Sequence, residues 1–141
     1  MYILENIPFM LVGAAAVLTV HPIVYLFSLI VSLFLNRAIK NNVQQKRPSD
    51  CPKFLRKSFG MPSGHTQTAS FATAFVWQSI SNVQKLVLAA LVVATMVQRV
   101  VSKAHTVAQV GVGLLVGSLL GVVTSRFASK MPRKDLLGNT Y

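Results

Sequence analysis

Ile7-Pro8-Phe9-Met10-Leu11-Val12-Gly13-Ala14-Ala15-Ala16-Val17-Leu18-Thr19-Val20-His21-Pro22-Ile23-Val24-Tyr25-Leu26-Phe27-Ser28-Leu29-Ile30-Val31-Ser32-Leu33-Phe34-Leu35 contains no Asp, Glu, Lys or Arg. As one helix the run would be longer than the ~30 Å hydrocarbon core of a bilayer. His21-Pro22 falls in its middle, and proline disfavours helix in the residue before it. The run therefore reads as a hairpin, with one span at about Ile3–Val20 and a second at about Pro22–Ile39. A single long kinked helix is the competing reading and removes one span.

The rest of the 141 residues agrees with a membrane chain of one domain. It is 52% hydrophobic and 12% charged, where soluble domains carry about a quarter charged residues. Mean hydropathy is +0.54. A very apolar soluble bundle is the alternative that the long uncharged runs argue against. Net charge is +11, from 14 basic and 3 acidic residues. Such a balance can mark nucleic-acid binding. Here the cations sit in the gaps between apolar runs, which fits membrane-surface or phosphate contacts and no nucleic acid. The only cysteine, Cys51, excludes an intramolecular disulfide and reads as an incidental loop thiol. No basic region precedes the first apolar run, so no cleaved signal peptide is read.

A basic loop follows, at about residues 40–60, with Lys40, Lys46, Arg47, Lys53, Arg56 and Lys57 against Asp50. Pro48 and Pro52 keep it from regular helix. A third span is read from Ser63 to about Ile80, with Ser63, Gln67, Ser70 and Ala74 on a small, polar, inward face. Ser81-Asn82 marks a turn, a fourth span covers about Leu86–Val101, and a fifth about His105–Val123. A basic tail, about 125–141, carries Arg126, Lys130, Arg133 and Lys134. The fold expected is an all-α integral membrane bundle of about five transmembrane helices. In the fifth span His105, Gln109, Gly113, Gly117 and Gly121 recur at i, i+4 steps and form one ridge. Glycines so spaced admit a close neighbour, either another helix of the chain or a second copy in a homodimer.

With that topology the end of span two, the start of three, the end of four and the start of five share one membrane face. It collects Lys40, Arg47, Ser63, His65, Arg99 and His105. In Gly60-Met61-Pro62-Ser63-Gly64-His65 the proline can start a helix, whose first N–H groups suit a phosphate, and Gly64 lets an anion close to the backbone. Two histidines beside cations suit attack on phosphorus and protonation of a leaving oxygen. His21, alone at a turn, reads as structural. The acids Glu5, Asp50 and Asp135 lack ligand spacing, so no metal is expected.

Lys40-x6-Arg47-Pro48, Pro62-Ser63-Gly64-His65 and Arg99-x5-His105 resemble the three signature segments of the type 2 phosphatidic acid phosphatase superfamily, the lipid phosphate phosphatases related to vanadium haloperoxidases. The order and internal spacing are intact over about a dozen positions. The resemblance implies a lipid phosphatase in which His105 forms a phosphohistidine and His65 protonates the leaving group. Lys40, Arg47, Ser63, Gly64 and Arg99 would hold the phosphate oxygens, with no metal or organic cofactor. It also implies an outer or lumenal active face with the tail in the cytoplasm, and a family core whose N-terminal part is reduced to Ile3–Val20. Two positions depart from the pattern: Gln98 stands where the family usually has Ser, and Gln109 where it has the Asp that supports the nucleophile. The Gln109 carbonyl can still accept a bond from the His105 ring, without the charge. Phe59-Gly60-Met61-Pro62-Ser63, His65, Gln67, His105-Thr106 and Gln109-Val110 are similar to the dolichyl diphosphate phosphatase branch, which implies a polyprenyl diphosphate substrate. A catalytically silent phosphate- or lipid-binding protein of the same fold is the alternative that Gln109 supports. A small channel would leave the three-segment spacing without explanation.

Overall fold

The computed structural model describes residues 2–19 and 21–131, with side chains from Asn6 onward. Among the described residues five α-helices follow one another: α1 (Tyr2–Leu18), α2 (Pro22–Val43), α3 (Gly64–Val76), α4 (Asn82–Val101) and α5 (Val107–Ala128). Single 3-10 turns lie at Lys53–Leu55 and Trp77–Ser79. The hairpin reading holds: α1 stops at Leu18 and Pro22 opens α2 at its first helical position, where its missing N–H costs nothing. Val20, the expected end of the first span, lies outside the described residues, as do Arg133 and Lys134 of the basic tail.

Helix α3 is the axis of the bundle and packs on all four other helices. Ala69, Phe71, Ala72, Phe75 and Val76 are buried on its flanks. Tyr25 of α2 stacks on Phe71 at 5.8 Å and meets Phe75 edge-on at 5.1 Å. The Tyr25 hydroxyl donates to the Val12 carbonyl of α1, 3.1 Å away, so one side chain ties three helices. A polar rung crosses the same core: Asn36 Nδ2 donates to Gln67 Oε1 at 2.8 Å, and Gln67 Nε2 donates to Ser32 O at 2.8 Å. Gln67 is 1% exposed, so the rung has to satisfy both ends of its amide.

The glycine ridge of α5 is spent inside the chain. A Cβ on Gly113 would stand 2.7 Å from the Ser63 carbonyl, and one on Gly121 2.6 Å from that of Phe71. These glycines let the α5 backbone lie directly on α3, and the ridge that could have served a homodimer is covered by α3.

Large apolar side chains cover the outside. Phe27 and Phe34 of α2, Val97 of α4, and Leu115 and Leu119 of α5 are exposed. A soluble bundle could not leave so much apolar surface in water. Among the described residues three helices, α2, α4 and α5, are long and apolar enough to cross a bilayer. Two of the five expected spans are shorter than that. At 13 residues α3 extends about 20 Å, less than the ~30 Å core. Its neighbours shield it from lipid, so its length need not match the bilayer.

Candidate active site

One end of the bundle gathers the end of α2, the 44–63 loop and the start of α3, together with the end of α4 and the start of α5. His105 is central and 4% exposed. It does not begin α5 as expected, but stands two residues ahead of it. Thr106 is the N-cap: its hydroxyl accepts from Gln109 N, and Gln109 Oε1 accepts from Thr106 N, each at 3.2 Å. This capping box stops the helix from running back through His105. The His105 main-chain N–H donates instead to Arg99 O at 3.1 Å, which joins the end of α4 to the histidine.

The protonation pattern of His105 follows from its partners. Arg47 NH1 lies 3.0 Å from Nε2, and a guanidinium can only donate. Nε2 is therefore unprotonated, and its lone pair accepts from Arg47. Nδ1 carries the proton and donates to Gln109 Oε1 at 3.2 Å. Burial, and then the charges of Arg47 and Lys40, push His105 down to about 3, against the opposing pull of its Gln109 bond. The imidazole is neutral at physiological pH.

Arg47 is held on several sides. NH1 also donates to Ala104 O at 2.8 Å, Nε to Ser58 O at 3.1 Å, and NH2 to Ser58 Oγ at 3.0 Å. Lys40 Nζ donates to Phe59 O at 3.0 Å, across the mouth of the same loop. The Arg99 side chain is buried, and its Nε donates to Gln98 Oε1. Gln98, the residue in place of the usual Ser, thereby turns the guanidinium. His65, the second residue of α3, is half-buried, edge-on to Phe9 at 6.1 Å and within reach of the charges of Arg99, Arg47 and Lys40. All the cations and both histidines expected at this face thus stand together.

Two residues of the phosphate-type loop behave differently from expectation. Ser63 is fully buried, its hydroxyl accepts from Thr66 Oγ1 at 3.1 Å, and although it is the N-cap residue of α3 its side chain makes no capping bond to a main-chain N–H. The first-turn N–H groups of α3 are left to other acceptors. A Cβ on Gly64 would meet Asn36 Oδ1 at an ordinary 3.5 Å, so its lack of side chain is not forced by protein packing. Cys51 is buried rather than loose on the loop. His21 sits at the far end of the bundle, away from the site, where its N–H meets Thr19 Oγ1 at 3.2 Å. Among the described residues no three His, Cys, Asp or Glu side chains group as metal ligands. Ser58 and Gln45 entered the site without a sequence signal. Thr106-x-x-Gln109, by contrast, is a legible capping box.

Fold and site define a class: an all-helical integral membrane protein with a cation-lined, two-histidine site at one end of the bundle. The chain belongs to the PAP2 superfamily, whose family model matches residues 21–133. The family read from the three segments is thus borne out. The chain is 36% identical to Lipid phosphate phosphatase gamma of Arabidopsis thaliana, over 66% of this chain and 47% of that protein. It is also 36% identical to Lipid phosphate phosphatase epsilon 1, chloroplastic, of the same plant, over 63% of this chain and 34% of the relative. The chain spans about half the length of the first and a third of the second. In fold it is similar to the crystal structure of the first transmembrane PAP2 type phosphatidylglycerolphosphate phosphatase from Bacillus subtilis. The TM-score is 0.70 at 20% identity, covering 96% of this chain and 73% of that one.

Proposed function

We propose that the protein is a membrane lipid phosphatase that cleaves a phosphate or diphosphate monoester through a phosphohistidine. The observation that carries this reading is the His105 imidazole, fixed with its proton on Nδ1 and its lone pair at Nε2 against Arg47. Arg47 NH1 exchanges Nε2 for an oxygen of the incoming phosphate, which brings phosphorus to the freed lone pair. Nε2 forms a bond to phosphorus as the bond to the leaving oxygen breaks. His65, protonated once the anion lies beside it, gives its proton to that oxygen. Water then attacks the phosphohistidine, His65 takes its proton, and inorganic phosphate leaves. Lys40, Arg47, Arg99 and the α3 N-terminus at Gly64 stabilise the equatorial charge. Gln109 aims the imidazole. No step draws on a metal.

Polyprenyl diphosphate is the substrate we favour, with phosphatidic acid-type lipids as the other class. A basic cup of about 330 Å³ supports a second phosphoryl group: Lys46, Arg56 and Lys57 line it, and Arg47 is shared with His105. An apolar cleft of about 570 Å³ between α3, α4 and α5 runs from Ser70, Met96 and Leu114 towards Arg126 and suits a hydrocarbon tail. We place the site on the outer or lumenal face, from the motif resemblance. The experiment is phosphate release by purified protein from both lipid classes, with EDTA present. Release that His105→Ala and His65→Ala each abolish, while the variants still insert and purify, is the expected result. Full release by His105→Ala would sink the reading, and vanadate binding without any turnover would favour the silent alternative.

A further inference from the structure

Gln109 is fully buried and uses both ends of its amide. Its carbonyl faces Thr106 N and His105 Nδ1, each at 3.2 Å. Its NH2 group donates to Lys46 O at 2.8 Å and to Gln45 Oε1 at 3.0 Å. A main-chain N–H can only donate and a main-chain carbonyl only accept, so the amide has one allowed orientation. Arg47, next along from Lys46, reaches back to His105 Nε2. The bonds close a ring: Gln109 carbonyl, His105, Arg47, the Lys46 main chain, and Gln109 NH2.

We propose that Gln109 is a two-ended positioning residue, whose carbonyl aims His105 while its NH2 group anchors the Gln45–Lys46 main chain and so sets where Arg47 meets the phosphate. The proposal rests on the phosphate-site reading above. The anchored segment needs an outside hold. Helix α2 ends at Val43 and is capped by Gln44 in the left-handed conformation (φ 51°), and the chain then runs on without regular structure through Pro48. Its other tie nearby is Gly60 N donating to Gln45 O at 2.8 Å. Gly60 also lies flat on the amide, since a Cβ there would stand 2.6 Å from Gln109 Cδ. An aspartate at this position is shorter by one methylene and has no proton to donate. It could aim His105, but it would leave the Lys46 carbonyl facing another acceptor. Glutamine here does a second task that the family's aspartate cannot.

The test uses the full chain in detergent, inorganic vanadate as the probe, and phosphate release as a function of pH. Gln109→Glu keeps the oxygen that faces His105 and puts an acceptor where the donor was. We expect vanadate affinity to fall about tenfold and KM to rise to match, with a smaller change in kcat. The acid limb should move to higher pH, because a carboxylate beside His105 favours its charged form. Gln45→Met removes one acceptor and should weaken vanadate about two- to threefold, with the pH profile unchanged. Unchanged vanadate affinity and KM in Gln109→Glu would overturn the proposal. If that variant does not fold, unchanged affinity in Gln45→Met overturns it. A wild type that binds vanadate but releases no phosphate removes the turnover reading and leaves the binding comparison decisive. A wild type that binds no vanadate overturns both.

Discussion

Gly113→Ala is the sharpest test of how the packing of α5 on α3 serves the site. Its new Cβ would stand 2.7 Å from the Ser63 carbonyl oxygen and 3.3 Å from Ser63 N. Ordinary contact begins near 3.4 Å, so the helices must part by about 0.7 Å there. The obstacle is main chain and cannot rotate away. Ser63 O also accepts the bond from Gln67 N at 3.0 Å, and Ser63 N donates to Gln109 O at 2.9 Å, so both bonds are strained together. Overpacking of this kind costs about 1–3 kcal/mol. Gln109 lies one turn before Gly113, and the shift passes to His105 through their bond. Misplacing a reacting group by ~1 Å can cost ~10²-fold in rate, so a loss of about ten- to a hundredfold in phosphate release is expected. The control is Gly111→Ala, where nothing beyond the helix's own adjoining backbone lies within 4 Å of the added Cβ. There the helix preference of alanine over glycine should leave the protein as stable or more so, by up to about 1 kcal/mol. Thermal unfolding in detergent and phosphate release are measured for both. If Gly113→Ala matches the wild type in stability and rate, α5 does not rest on α3 as described.

Two further outcomes follow from the site. In the proposed mechanism phosphate release needs the lone pair of neutral His105, which burial and the nearby cations push down to about 3, so His105 should not govern any loss of activity between pH 6 and 4. Nitrogen NMR of labelled His105 should find Nε2 unprotonated at pH 5, and protonation there would contradict the assigned contacts. The stability linked to this histidine is complete above its ordinary ~6.5 and declines as pH falls towards the folded value. Gly60→Ala presses on the Gln109 amide, which is buried and bonded at both ends. It should cost about 1–3 kcal/mol of stability, through the buried bonds the amide gives up, and at least about tenfold in kcat, by turning the amide off His105. A variant with normal kcat would show that the amide position is not critical.

The amino-acid sequence by itself determined the helical membrane class and the hairpin break at His21-Pro22, and it singled out the cations and histidines that the fold brings to one end of the bundle. Uncharged runs and proline act locally, through transfer free energy and backbone sterics, so their effects are legible without a fold. The glycine ridge was legible as a close-packing stripe, but its partner was not: only the structure shows that α3 fills it and that the Ser63 carbonyl sets the limit at Gly113. Helix length told against α3 as a full span only once its burial was known, because shielding by neighbours is a property of the assembled bundle. Gln109 shows the boundary most clearly. By its place in the motif it is a neutral stand-in for an acid. The fold places Gln45 and the Lys46 carbonyl against its NH2 group, from a loop about sixty residues away in the chain. Which donor finds which acceptor over such a separation depends on how the helices pack, and no local pattern encodes it.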